Sequence, residues 1–249
     1  MAQDQFASRI LSLLRLLRSH RLEGARKVRL GRHFDGGYVM LDLLEGTEAA
    51  YSLGINDDVS WDMDVAARGG PVFMYDHTIE CLPAEHPLFH WKRIGVGGRS
   101  ESEKRIETLT ELIHANGHDD ATNLLLQCDI EGAEWDMFGE TSNQVLRKFK
   151  QIVTEVHELD KIGDALFAER VRRALANLTA MHRVVHVHGN NHGNWFVYGM
   201  VPLPVTLELP LMRIDVGPLK VSDETFPTPL DMPNHPGRTD FHLGRFAFD

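Results

Sequence analysis

The stretch NLLLQCDIEGAEWD, residues 123–136, joins an apolar run to a group of acidic residues. Its three consecutive leucines are typical of a strand that is buried on both faces of a parallel sheet. A helix is expected from about residue 133 to residue 148, just after the strand. The acidic residues in between and at the helix start are Asp129, Glu131, Glu134 and Asp136. This order of strand, polar loop and helix predicts one unit of an α/β sheet.

The same alternation begins at Ala49 and continues through most of the chain. Further β-prone runs are AAYSLG (49–54), PVFMYD (71–76), HWKRIGVGG (90–98) and KQIVTEVH (150–157). Helical patterns separate them, which is typical of βαβ units. The last third has three β-prone runs with no helix between them: VVHVHG, NWFVYGMV and PVTLELPLMR. We therefore predict a Rossmann-like α/β fold, with a mostly parallel sheet, helices on both faces and antiparallel strands at the C-terminal end.

Local signals place several boundaries. Asp58 is a candidate N-cap for the first helix of the sheet region, and Ser100 with Glu103 has the spacing of a capping box. A helix with Ile106, Leu109, Leu112 and Ile113 on one face is expected to follow Ser100 and to end at Asn116 and Gly117.

Two extensions flank this central region. Residues 1–48 are expected to form an amphipathic helix, with Phe6 and Ile10 on its apolar face, and then a hairpin whose turn contains Gly36 and Gly37. Residues 217–249 are rich in proline and are expected to be an extended surface tail. The main domain is therefore predicted to span residues 49–216.

Composition limits the classes of partner. The net charge of −10 argues against binding to nucleic acid, which needs clustered lysine and arginine. No run approaches the roughly 20 apolar residues of a membrane span, and the N-terminus lacks a secretory cleavage site. With Cys81 and Cys128 interpreted as reduced thiols, we expect a soluble cytoplasmic protein. Its oligomeric state is open, and a homodimer is one alternative.

Ligands of open α/β sheets bind outside the carboxyl ends of the strands. Gly54 follows the first of these strands, and Asp76 ends the next one, where the two hydroxyls of a nucleoside ribose would lie. The loop LGINDD lacks the G-x-G-x-x-G pattern that binds a pyrophosphate. An adenosine ligand without phosphates therefore fits better, and S-adenosylmethionine is one. The alternative is an ordinary turn glycine beside an exposed strand-end acid.

Three further groups of residues are candidates for chemistry. Asp129 and Glu131 precede their helix and could face a cationic ligand or a metal, whereas Glu134 and Asp136 are explained as partners of the helix dipole. His157 lies on the same strand face as Glu155 and could act as a general base.

The third group is a cluster of late histidines, which consists of His182, His186, His188 and His192. A divalent ion held by Asp129, His157 and His188 is one interpretation of this cluster. Histidines that make hydrogen bonds within the fold or to a substrate are the other interpretation.

Taken together, YSLGINDDVSWD, MYDHT, QCDIEGAEW and EVHEL resemble the FkbM-type, class I S-adenosylmethionine-dependent methyltransferases over roughly residues 36–191. The resemblance implies that Gly54 and Asn56 line the methionine part of the cofactor, that Asp76 holds the ribose, and that Asp129 lies near the transferred methyl. The full set of cofactor-binding residues that we expect is Gly36, Gly37, Tyr38, Gly54, Asn56, Asp76, His77 and Asp129.

The expected activity is O-methylation of a sugar, a glycan or another secondary metabolite. His157, Asp129 and Glu131 are the expected catalytic residues, and a divalent metal ion is a second candidate cofactor. The alternative is a metal-dependent hydrolase or oxygenase that uses the late histidines.

Overall fold

The computed structural model describes residues 2–198 and 201–248 of the chain. The side chains of residues 2–7 and 9, and with them the predicted apolar contact of Phe6, lie outside the described part. The helices are α1 (Ala2–Leu16), α2 (Ser60–Ala66), α3 (Leu109–Ala115), α4 (Glu134–Glu140), α5 (Asn143–Leu146) and α6 (Ala165–Met181). Short 3₁₀ turns occupy Ser102–Lys104 and Leu159–Gly163.

The strands are β1 (His20–Leu22), β2 (Lys27–Leu30), β3 (Tyr38–Leu41), β4 (Ala49–Leu53), β5 (Val72–Tyr75), β6 (Phe89–Lys92), β7 (Gly95–Val96), β8 (Ile106–Glu107), β9 (Leu124–Cys128), β10 (Phe149–Val156), β11 (His182–Val184), β12 (His188–Gly189), β13 (Trp195–Tyr198), β14 (Val201–Pro204), β15 (Leu207–Arg213) and β16 (Leu219–Val221).

Eight of these strands form the central sheet. Five of them run parallel in the order β6-β5-β4-β9-β10, and β15 pairs antiparallel with β10. β11 and β12 then pair antiparallel with β15 at the edge. The chain starts the sheet at β4, moves outward to β6, and returns to the other side of β4 with β9. The strand order therefore reverses between β4 and β9, which is the switch point where open α/β sheets bind ligands.

Side-chain alternation along the buried strands divides the core into two layers. Tyr51 and Leu53 of β4 pack in the layer that contains the buried side chains of α1, α3, α4, α5 and α6. Ala50 packs in the other layer, with Trp61 of α2 and Tyr38 of the hairpin β2–β3. Helices thus cover both faces, and the predicted α/β class with antiparallel strands at the C-terminal end is confirmed.

Several predicted helix boundaries were wrong. The capping box of α3 is formed by Thr108 and Glu111, not by Ser100 and Glu103. Ser100 donates its hydroxyl to the same Glu111 carboxylate. Ile106, which was predicted to lie on the helix, belongs to β8, where it pairs with Gly95 of β7. Thr108 offers an oxygen directly before the apolar residues of the helix, so it displaces the more distant serine as the cap.

Two other helices also differ from the prediction. α2 begins at Ser60 with Val59 as its N-cap residue, because the Asp58 carboxylate instead accepts hydrogen bonds from the Ser60 N–H and hydroxyl. The helix predicted over residues 133–148 is split into α4 and α5, and Ser142 caps the second of these.

The C-terminal segment, residues 217–248, is extended but is integrated into the fold. β16 pairs antiparallel with β1, so this segment contacts the N-terminal part of the chain. Phe226 is fully buried, and its ring lies 4.9 Å from that of His186. Asn234 is also buried. The proline content predicted a surface tail, but the middle part of this segment packs against the rest of the fold. We call this part, residues 226–240, the strap.

Candidate functional site

A cavity of about 470 Å³ lies at the carboxyl ends of β4, β5 and β9, at the switch point of the sheet. Sites for small molecules commonly have this volume. Seven of the eight residues predicted to bind a cofactor line it, namely Gly36, Tyr38, Gly54, Asn56, Asp76, His77 and Asp129. The eighth, Gly37, lies outside the lining, where a side chain would meet the carbonyl oxygen of Arg32 at 2.1 Å.

Gly54 follows β4 and lies directly against the backbone of Asp129, which follows β9. Its φ of 80° lies in the left-handed region, and a Cβ atom there would lie 1.6 Å from the carbonyl oxygen of Asp129. Its N–H donates to the carbonyl of Tyr75, and the Asp129 N–H donates to the carbonyl of Leu53. Only glycine fits this position. The single glycine of the loop therefore maintains the geometry of the switch point.

Asp76 anchors the loop that follows β4. One carboxylate oxygen accepts the N–H groups of Ile55 and Asn56, at 2.9 and 3.0 Å, and the other accepts the N–H and hydroxyl of Thr78. Burial opposes ionisation, but these hydrogen bonds outweigh it and hold the pKa of Asp76 below its usual value. All four lone-pair positions of the carboxylate are used. Asp76 therefore shapes the cavity wall in this state rather than presenting a free oxygen to it.

The cavity is strongly acidic. Its lining includes seven carboxylates, from Asp35, Asp57, Asp58, Asp62, Asp76, Asp129 and Glu131. Arg32 is the one lysine or arginine among the described lining residues, and it lies 3.4 Å from the carboxylates of both Asp57 and Asp58. Such a surface repels phosphate groups and attracts cations. The cavity is therefore suited to a positively charged ligand without phosphates.

His157 directly follows β10 and lies beside the cavity, among acidic residues of β10, of the loop after β9 and of α4. Its Nδ1 is 3.1 Å from Glu134 Oε1, and its Nε2 is 3.4 Å from Glu155 Oε1. The same Nε2 is 3.7 Å from Asp129 Oδ1 and 3.7 Å from Glu131 Oε2. The predicted catalytic residues His157, Asp129 and Glu131 thus lie together.

The charge of this cluster changes the role that His157 can have. Burial lowers the pKa of His157, but its hydrogen bonds to Glu134 and Glu155 outweigh this effect and raise the pKa to about 11. At neutral pH His157 is an imidazolium, so it has no free nitrogen with which to accept a proton. In this state it balances the charge of the surrounding carboxylates, and the predicted general-base role would require it first to lose this proton.

Asp129 is the better placed proton acceptor. Burial, and then repulsion by Glu155, raise the pKa of Asp129 well above its usual value. Its Oδ1 is buried and has no hydrogen-bond partner in the described part of the chain. A carboxylate with a raised pKa and an unpaired oxygen at the cavity wall can accept a proton or contact a cation.

Glu134 was missed as a site residue because its position explains it equally well as a helix-start acid. In the fold it is fully buried, and it accepts hydrogen bonds from the N–H groups of Ile130 and Gly132 as well as contacting His157. The sequence signal was its position two residues after Gly132, from which a carboxylate can reach back to the loop. Asp136, which was interpreted as a partner of the helix dipole, lies in the first turn of α4 and also pairs with Arg170.

The structure also assembles a different set of candidate metal ligands from the one predicted. Donor atoms of Asp129, Glu134 and His157 lie within 4.8 Å of one another. His188 is outside this group: its Nδ1 lies 3.1 Å from Glu208 and its Nε2 lies 3.1 Å from Asp240. Moreover, His157 Nδ1 and Glu134 Oε1 already form a hydrogen bond with each other. The donor set is therefore largely satisfied by the protein itself.

The other late histidines have separate partners. His182 Nε2 donates to the carbonyl of Phe149, and burial lowers the pKa of His182 to about 4. His186 Nε2 lies 2.7 Å from Asp231 Oδ1. Within the described residues these histidines form no common ligand set with His188.

Comparisons with known proteins give no family assignment. No protein-family model and no curated protein matches this chain. One solved structure, named "Putative hemolysin from Streptococcus thermophilus.", is similar with a TM-score of 0.38 and 10% sequence identity. The similarity covers 69% of this chain and 62% of that chain, so this chain matches less than two thirds of that protein's length. Among the described residues, no helix combines the length and the apolar character needed to cross a membrane.

Proposed function

We propose that this protein is an S-adenosylmethionine-dependent methyltransferase that transfers a methyl group to a hydroxyl. The observation that carries the proposal is the acidic cavity at the switch point, which Gly54 lines. The resemblance of YSLGINDDVSWD, MYDHT and QCDIEGAEW to FkbM-type methyltransferases supports it independently.

The chemistry of the lining fits this cofactor better than a nucleotide. S-adenosylmethionine carries a sulfonium and an ammonium group and has no phosphate, whereas ATP and NAD would bring phosphates against seven carboxylates. The unpaired oxygen of Asp129 is available to a positive group. When bound, the cofactor supplies an electrophilic methyl group on its sulfur.

The residues around Asp129 would handle the acceptor's proton. The Asp129 carboxylate receives the proton of the hydroxyl, because its raised pKa makes it a stronger base than an ordinary aspartate. His157 orients this carboxylate and limits the repulsion between it and Glu155. Glu131 lines the cavity with a mostly exposed side chain, which an incoming acceptor could contact. The acceptor that we propose is a sugar, a glycan or another secondary metabolite.

A cytoplasmic location belongs to the same proposal. Cys128 is buried, Cys81 is exposed, and both are free thiols. Unpaired cysteines are typical of proteins in a reducing compartment.

Isothermal titration of the purified protein with S-adenosylmethionine, and separately with NAD, tests the proposal. We expect binding of the first and none of the second. Gly54→Ala should abolish binding, because its Cβ would enter the space of the Asp129 carbonyl. Gly117→Ala is the matched control, since Gly117 has a similar φ of 73° with nothing within 4 Å of the added atom. NAD binding without S-adenosylmethionine binding would refute the proposal.

The metal-dependent hydrolase or oxygenase has one supporting observation, which is the proximity of donor atoms in Asp129, Glu134 and His157. Metal analysis of the purified protein separates the two functions. Stoichiometric iron or zinc, together with no affinity for S-adenosylmethionine, would favour the hydrolase or oxygenase.

A further inference from the structure

Like Asp129, Asp62 has a buried carboxylate oxygen that is unpaired among the described residues, and it lies on the opposite side of the sheet from α1 and α3–α6. Asp62 is the third residue of α2, is only 3% exposed, and lines the cavity. Its Oδ1 has no hydrogen-bond partner in the described part of the chain. An ionised carboxylate in this position is costly unless something positive meets it.

Within residues 2–198 and 201–248, no positive side chain offsets the charge of Asp62. The charged side chain that acts on its pKa is Asp58, which has the same sign. Burial raises the pKa of Asp62 to about 7, although Ser52 lies within hydrogen-bonding reach and opposes the shift. The protein thus holds an uncompensated acid at the wall of an open cavity.

Two polar residues of the sheet continue this wall. Ser52 of β4 and Gln127 of β9 are directly paired across the strands, and the Ser52 hydroxyl donates to Gln127 Oε1 at 3.0 Å. Both are buried, and both line the cavity with Asp62. They lie on the hairpin side of the sheet, where the neighbouring residues Ala50 and Leu125 pack in the apolar layer. Apolar side chains would pack there equally well, so a polar wall at this depth indicates contact with a polar ligand group.

We propose that Asp62, beside Ser52 and Gln127, receives the ammonium group of the amino-acid end of the ligand. This inference rests on the proposed function, in which that group is the α-amino group of S-adenosylmethionine. A carboxylate accepts hydrogen bonds only, and an ammonium group donates three, so the two match in charge and in hydrogen bonding. Asp129, at the switch point, is then left for the sulfonium side of the ligand and the acceptor.

Three ligands separate the contributions of the two cationic groups. S-adenosylmethionine carries the sulfonium and the ammonium, S-adenosylhomocysteine carries the ammonium alone, and methylthioadenosine carries neither. We expect Asp62→Asn to weaken binding of the first two by the same factor, at least about tenfold, and to leave methylthioadenosine within about twofold. Isothermal titration at one pH measures all three affinities.

The controls make each outcome decisive. Unchanged binding of methylthioadenosine shows that the Asp62→Asn protein is folded, and a thermal unfolding midpoint equal to or above that of the wild type supports this, because a buried charge has been removed. Asp120→Asn, at an exposed position outside the cavity lining, controls for net charge.

Equal affinities of wild type and Asp62→Asn for all three ligands would overturn the inference. A loss of affinity confined to S-adenosylmethionine would also overturn it, because Asp62 would then contact the sulfonium. If the wild type binds none of the three, the proposed function fails, and this inference fails with it.

Discussion

His157 is a single cation in contact with four carboxylates, and two of them, Glu134 and Glu155, are buried. Its positive charge is what allows these carboxylates to lie so close together. Removing a buried partner from such a group leaves an uncompensated charge, which costs more than the loss of an exposed ion pair.

Replacement of Glu134 tests this arrangement. We expect Glu134→Gln to lower the free energy of unfolding at pH 6 by about 3–5 kcal/mol, because it breaks a buried ion pair. Asp136→Asn, in the same helical turn, should cost less than about 1 kcal/mol, because its ion pair with Arg170 is half exposed. Urea denaturation measures both, and equal losses in the two variants would contradict the interpretation.

The same variant has a predicted pH dependence. The pKa of His157 is raised from 6.5 to about 11 in the folded protein. The stabilisation from its charge is therefore fully present below pH 6.5 and is lost as the pH rises towards 11. The difference in stability between wild type and Glu134→Gln should shrink between pH 7 and pH 10. A difference that stays constant over this range would show that His157 is neutral in the folded state.

For the side chains of the candidate site, the sequence predicted which residues lie together better than it predicted which of them are protonated. That Asp129, Glu131 and His157 lie together follows from the rule that the carboxyl ends of parallel strands share one edge. The roles of Glu134 and Asp62 could not be predicted, because each depends on burial, and burial is set by loops and by α2 packing onto the sheet. The protonated state of His157 depends in turn on Glu134.

Single elements follow the sequence where their signals are local. α6 (Ala165–Met181) is an example, because its amphipathic pattern is long and Asp164 caps its first turn. The strand β8 was not predicted, because two residues carry no periodicity, and Ile106 fits a helix face equally well. Such short strands form only through pairing with a neighbour, here β7.

The corrected cap of α3 gives a prediction at the scale of an element. Thr108 accepts a hydrogen bond from the N–H of Glu111, and the Glu111 carboxylate accepts the N–H of Thr108. We expect Thr108→Ala to cost about 1 kcal/mol of stability. Thr110→Ala, at an exposed position in the first turn of the same helix, should have little effect. Thermal unfolding of the two variants checks this, and the assignment of the cap is wrong if Thr110→Ala is the more damaging change.

Across the whole molecule, the strap near the C-terminus connects parts that are distant in sequence. Asn234 donates both to Asp35 of the hairpin turn and to Glu208 of β15, at 3.0 and 2.6 Å. Asp240 contacts His188. The hairpin, the edge of the sheet and the strap are therefore held to one another next to the cavity. Proline content predicted the extended backbone of the strap but not these contacts, which depend on tertiary packing.

Phe226 is the apolar anchor of the strap. It is fully buried against His186, and Lys27 lies 5.6 Å from its ring. We expect Phe226→Ala to cost about 3–5 kcal/mol and to expose the strap to limited proteolysis. Phe34→Ala, at an exposed phenylalanine of the hairpin turn, is the control and should cost far less. An unchanged cleavage pattern in Phe226→Ala would show that the strap is held by its polar contacts alone.

The place of β15 in the sheet has a consequence for synthesis of the chain. β15 lies between β10 and β11 in space but leaves the ribosome after both. Until Leu207–Arg213 has emerged, β10 ends the nascent sheet with an unpaired edge, which is the kind of edge that other chains can join. Glu208, which contacts His188 and Asn234, lies on the same late strand. Translation that stops before residue 207 would therefore yield an aggregation-prone chain that lacks these contacts.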